Sequence, residues 1–166
     1  MKNPTDYAAR ANIMWASTQA LNHWLSQGIV ADWATHFIGH ELTAYLGMDH
    51  GCTLACIQPR VLEYNFEAKK AKLAQMGRRV FDLKGEDEDV ARKCIDEIVN
   101  FYENDMNMPT RISKFVESDD RSWIDEVYNK YYYITVYYRF TKAGTVLGEN
   151  KLFTPEVVKN VINDSY

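Results

Sequence analysis

The chain has 166 residues, 46% of them hydrophobic and 25% charged, with a net charge of -4. That describes one domain of ordinary size, able to bury a core without disulfides or metals, and too acidic overall for a nucleic-acid partner, whose phosphates call for a basic surface. No run of about 18 apolar residues suggests a membrane span, and the opening MKNPTDYAAR lacks an apolar signal core. Three cysteines, an odd number, suit a reducing compartment, so the expected location is the cytoplasm.

The first predicted element is a helix that Thr5 and Asp6 can cap and that runs to about Leu25, with Gly28 beyond its end. Ala8, Ala11, Trp15, Thr18, Leu21 and Leu25 recur at helical spacing, and further alanines at 9, 16 and 20 would let neighbouring helices approach closely. His23, near the C-terminus of that helix, reads as a surface or capping residue.

The next stretch, DWATHFIGHELTAYLGMDHGCTLACIQP over residues 32–59, holds the other three histidines. His36 and His40 stand one turn apart on one helix face. Trp33, Phe37, Ala44 and Tyr45 join them at 3- and 4-residue spacings, which predicts a stripe turned towards packed protein. Gly47 is the expected C′ residue. Asp49-His50-Gly51 then turns the chain into a second apolar segment, Cys52 to Ile57, before Pro59, and so can bring His50 back beside the first helix. Two or three neutral imidazoles aimed at one point suit Zn, Fe, Ni or Cu; the alternative is a set of satisfied core histidines. A zinc-protease helix would need glutamate where Phe37 stands, and Glu41 points to another face. Cys52 and Cys56, in C-x3-C, lack the usual knuckle spacing.

Beyond Pro59, Arg60 to Asn65 continues as a short helical piece, and Glu67 to Phe81 forms another helix. Its Lys69, Lys70 and Lys72, with Arg78 and Arg79, read as a solvated face. Gly85 precedes the clearest helix, Glu86 to Met106, whose Val90, Ala91, Cys94, Ile95, Ile98, Val99 and Tyr102 recur at 3 and 4. Its acids Glu86 to Asp89 crowd the turn that the helix dipole favours and read as scaffold. Met108-Pro109-Thr110 is a break. Trp123 to Phe140 has high β propensity around KYYYITVYYRF, yet satisfies helical spacing through Trp123, Val127, Tyr131, Ile134 and Tyr138. Thr154 and Pro155 open a short terminal helix, Glu156 to Asn163.

The phrases AARANIMWASTQALN (8–22), DWATHFIGHEL (32–42), DHGCTLACIQPRVLEYN (49–65) and MPTRIS (108–113) resemble the C-terminal half of the iron-containing alcohol dehydrogenases, in particular their butanol dehydrogenase-like branch. The resemblance implies an all-α bundle of about six to eight helices over 1–166, with Trp123 to Phe140 helical. It implies that His36 and His50 are metal ligands, for Fe or Zn, and that His40 lies beside the substrate and nicotinamide as the catalytic residue. In such enzymes hydride passes between an alcohol or aldehyde and NAD(P). Two further ligands of the family, on a D-x3-H helix, and its glycine-rich dinucleotide domain fall upstream of the matched region; no D-x3-H precedes Asp32 and no G-x-G occurs. The expectation is therefore a dehydrogenase fragment inactive alone, binding no NAD(P) by itself, with an apolar face prone to self-association. The alternative is a non-catalytic helical interaction domain or remnant.

Overall fold

The computed structural model describes residues 3–116, 120–129 and 146–166. Every regular element among them is helical, and the one β feature is an isolated antiparallel bridge between Leu147 and Phe153. No helix among the described residues is long and apolar enough to cross a membrane. The chain divides into two compact units, Met1–Ala31 and Asp32–Tyr166. Most of the aromatic stretch within Trp123 to Phe140, where helix was expected over strand, lies outside the described residues.

The first unit consists of α1 (Tyr7–Leu21) and a short 3-10 turn, Trp24–Ser26. Asp6 caps α1, accepting from the amide of Ala9 at 3.0 Å. The helix stops at Leu21, four residues earlier than its apolar spacing suggests. Asn22 accepts from the Trp24 amide with its side chain, and His23 takes a left-handed φ of 67°. The expected apolar stripe is not buried: Trp15, Leu21 and Leu25 are all exposed. Its own unit supplies only a single turn, too little to cover it.

The second unit is built from α2 (Ala34–Leu46), α3 (His50–Tyr64), α4 (Phe66–Val80), α5 (Asp87–Asn100), α6 (Ser122–Val127) and α7 (Pro155–Asp164). Pro59 does not interrupt α3. It sits buried inside one continuous helix, forgoing the amide bond to the preceding turn. Two cores result. In the first, Ala34, Ile38 and Leu42 of α2 meet Cys56, Ile57 and Val61 of α3 and Val158, Val161 and Ile162 of α7, closed by Ile112 and Phe153. In the second, Leu73 and Ala74 of α4 interlock with Val90, Ala91, Cys94, Ile95 and Ile98 of α5.

Helix α5 carries the periodicity its sequence predicts, with Asp87, Glu88 and Asp89 in its first turn. Two of those acids are held by cations: Arg78 pairs with Asp87 at 2.7 Å and Arg92 with Glu88 at 2.7 Å. The last turn, Phe101–Asp105, widens into a π-helix before Pro109. Thr154 caps α7 with Pro155 at N1, as expected. Among the basic residues of α4, Lys69 is not merely solvated. It reaches Asp32 at 3.2 Å and Glu149 at 2.6 Å, joining the entry of α2 to the segment before α7.

Candidate metal centre

The site begins with two helix ends. Asp32 accepts from the amide of Ala34 at 3.0 Å and starts α2. Gly47, with φ at 69°, terminates it, its amide returning to the carbonyl of Thr43. Only Met48 and Asp49 follow before α3 starts at His50, so the chain doubles back and α2 and α3 lie against each other. Gly39 allows the close approach: a Cβ there would stand 3.1 Å from Leu54 Cδ2 and 3.2 Å from Thr53 Oγ1. Thr53 fixes the opening turn of α3, donating to the carbonyl of His50 at 2.8 Å.

This reversal brings the three histidines together. His36 Nδ1 and His50 Nε2 face each other at 3.2 Å, and the His40 ring centroid lies 4.6 Å from that of His50. One nitrogen from each of the three lies within 4.8 Å of the others, a group that can hold a metal ion. The distances within it are unequal in a useful way. Two nitrogens each about 2.1 Å from one ion stand about 3.0–3.4 Å apart at square to tetrahedral angles, and never more than about 4.2 Å. The His36–His50 pair already has that spacing. The full set, including His40, spreads to 4.8 Å.

The environments differ too. His36 and His50 are half-buried and His40 is exposed. Burial lowers the pKa of His36 below its ordinary value, and the neighbouring His50 and His40 lower it further, so the ring is kept neutral with a lone pair for a ligand. His50 Nδ1 is buried without a hydrogen-bond partner, which costs about 1–3 kcal/mol. That orphaned atom is the other ring nitrogen of His50, not the one facing His36, so the fit to a cation of the Fe or Zn type rests on the close approach of His36 Nδ1 and His50 Nε2.

One expectation needs correcting. The face carrying His36, His40 and Ala44 is not the one turned into the core, since His40 and Ala44 are exposed. The core row is Ala34, Ile38 and Leu42, two residues out of phase with His36 and His40, and two residues on a helix is about half a rotation. Glu41 is buried on the core side and outside the histidine group, as its position implied. Cys56 is buried against the carbonyl of Pro109, and burial pushes its thiol up to about 12. It forms no cluster with the histidines.

Residues that sequence spacing did not connect with the site complete it. A cavity of about 220 Å³ beside His36 is lined by Asp32, Trp33, Thr35, Leu54, Gln58 and Tyr102. Asp32 is tied from behind by Lys69 and by Asn65, whose side-chain amide lies 3.4 Å from its Oδ2. Tyr102 of the π turn donates to Gln58 Oε1. Gln58 and Tyr102 are 44 residues apart; no local pattern marks such a pair.

With this arrangement stands a match over residues 1–145 to the Fe-containing alcohol dehydrogenase family, C-terminal, and the chain belongs to that family. The NADPH-dependent aldehyde reductase YqhD of Escherichia coli is 42% identical over 116 residues, which is 69% of this chain and 30% of that protein. The NADH-dependent butanol dehydrogenase B of Clostridium acetobutylicum is 34% identical over 115 residues, 68% of this chain and 30% of its own length. The fold of this chain superimposes on the crystal structure of Escherichia coli YqhD with a TM-score of 0.87 and 36% identity, covering 99% of this chain and 40% of that one. On NADH-dependent butanol dehydrogenase A of Thermotoga maritima the TM-score is 0.84 at 27% identity, again covering 40% of the larger chain. The chain thus spans less than half the length of these relatives.

Proposed function

We propose that the chain is the helical, metal-binding portion of a metal-dependent NAD(P) alcohol dehydrogenase that interconverts alcohols and aldehydes by hydride transfer. The observation that carries this reading is the 3.2 Å approach of His36 Nδ1 and His50 Nε2, a ligand spacing held across the α2–α3 reversal. In this reading His36 and His50 hold a divalent metal, and His40 is the catalytic residue. A metal there, Fe or Zn, would polarise the oxygen of an alcohol or aldehyde. The names of the relatives, an aldehyde reductase and butanol dehydrogenases, support that substrate class and an NADH or NADPH partner.

The residues of this chain divide the remaining work. Trp33 and Leu54 give the cavity beside His36 an apolar wall. His40, exposed and next to His50, is placed to exchange a proton with the substrate oxygen or with solvent, imidazole being suited to that near neutral pH. The Asp32–Lys69 ion pair fixes the first turn of α2 and with it the height of His36.

Calorimetric titration of the chain with Zn(II) and with anaerobic Fe(II) tests the assignment, the double variant His36→Ala, His50→Ala serving as control. Binding that the double variant loses is the expected result. Binding that is unaffected by it, in a folded protein, removes the metal role from this pair.

A further inference from the structure

Thr53 is a polar residue with no exposed surface, three positions after His50 on α3. Its hydroxyl donates to the His50 carbonyl at 2.8 Å. A hydroxyl carries one proton, so in the 3.2 Å contact between Thr53 Oγ1 and Thr43 Oγ1 it is Thr43 that donates. The hydrogen bonds therefore run from α2, through Thr53, to the backbone of His50. Gly39, one turn before Thr43, makes the seat: a Cβ there would stand 3.2 Å from the same Thr53 oxygen. His36, Gly39 and Thr43 follow at helical spacings of three and four on one face of α2. The clasp thus starts on the helix that carries one histidine of the pair and ends on the other histidine.

We propose that Thr53 is a positioning residue for the histidine pair: its hydroxyl, clasped by Thr43, fixes the turn from which the His50 ring departs and holds that turn against the helix of His36. The assignment rests on the function proposed above, in which His36 and His50 hold the metal. A histidine ring hangs from its Cα by two torsions with few preferred settings, so the backbone at His50 decides where Nε2 falls. His50 is the first residue of α3, and a helix end is the part whose own hydrogen bonds are incomplete. Asp49, at the N-cap, gives that end no side-chain bond. The Thr53 hydroxyl supplies the support from inside the helix, and Thr43 ties it to α2.

The test compares Thr53→Ser, which keeps the hydroxyl and loses the methyl, with Thr53→Val, which keeps the shape and loses the hydroxyl. Zn(II) affinity of the full chain is read by competition with a chelating dye, and NOEs between the ring protons of His36 and His50 are recorded without metal. Thr53→Ser is expected to keep the NOEs and stay within about twofold of the native affinity, while Thr53→Val loses the NOEs and binds about tenfold more weakly. A Thr53→Ser chain weaker than Thr53→Val would overturn the proposal, since packing of the methyl would then govern the site. A folded Thr53→Val with native affinity and native NOEs would overturn it too. Should Thr53→Val not fold, Thr43→Val, at a half-buried position, cuts the clasp from the α2 side, and native NOEs in that variant would likewise overturn the proposal. A native chain that shows the ring NOEs but binds no Zn(II) sinks the metal assignment, and Thr53 is then judged on the NOEs of its variants. Native Zn(II) binding that Thr53→Val leaves intact sinks Thr53 and keeps the metal.

Discussion

Gly39→Ala separates the needs of the site from those of the core. The added Cβ would stand 3.1 Å from Leu54 and 3.2 Å from Thr53, where ordinary contact begins at 3.4 Å, so α2 and α3 must part by a few tenths of an ångström. Overpacking of that kind costs about 1–3 kcal/mol, while alanine in place of glycine returns about 1 kcal/mol of helix propensity, leaving a net loss of about 0–2 kcal/mol. The fold therefore survives. The histidine pair does not escape, because His36 and His50 sit on the two helices being separated, and an opening of about 0.3 Å takes their nitrogens from 3.2 Å past the about 3.4 Å that two ligands of one tetrahedral ion can span. Weaker metal binding in the folded variant is therefore the expected result. Urea denaturation measures the first quantity and metal competition against a chelating dye the second. Unchanged metal affinity in the folded variant would refute the claim that the α2–α3 spacing sets the ligand distance.

Two further outcomes follow from the electrostatics. Lys69→Met removes the cation between Asp32 and Glu149 and leaves Asp32, four-fifths covered, with only the neutral Asn65 side chain and the Ala34 amide; a loss of about 1–2 kcal/mol in urea denaturation is expected, whereas the more exposed Lys70→Met should leave stability unchanged, and equal effects from the two would contradict the buried role of Lys69. His36 in the folded chain has a pKa below its ordinary 6.5, so as pH falls the unfolded chain takes up that proton first. Its contribution to stability is complete above about pH 6.5 and is lost as pH falls towards the lowered value. Denaturation at about pH 7.5 and pH 5 should show this loss in the native chain and a shallower one in His36→Gln; identical slopes would mean that His36 titrates normally.

The elements whose bonds are local were legible in the sequence. Asp6 and Thr154 cap where their side chains can reach an amide three residues on. Gly47 takes the left-handed conformation that suits glycine at a helix end, and the phase of α5 follows from apolar residues three and four apart. The meeting of His36 with His50 was legible for the same reason, a short reversal leaving few geometries for residues 14 apart. The length of α1 was misjudged because Asn22 and His23 break it by a side-chain bond and a left-handed residue that apolar spacing does not register.

Which face of α2 enters the core was a tertiary decision. Two rows on that helix are plausible by composition, and the partners available, Cys56, Ile57 and the residues of α7, select Ala34, Ile38 and Leu42. The same holds for the Gln58–Tyr102 wall and for the seating of Lys69 between Asp32 and Glu149, partners 37 positions before it and 80 after it. Sequence spacing encodes what neighbouring turns of backbone can reach; a pairing across the bundle exists only once burial has brought distant turns together, because the apolar free energy that drives them has no direction of its own.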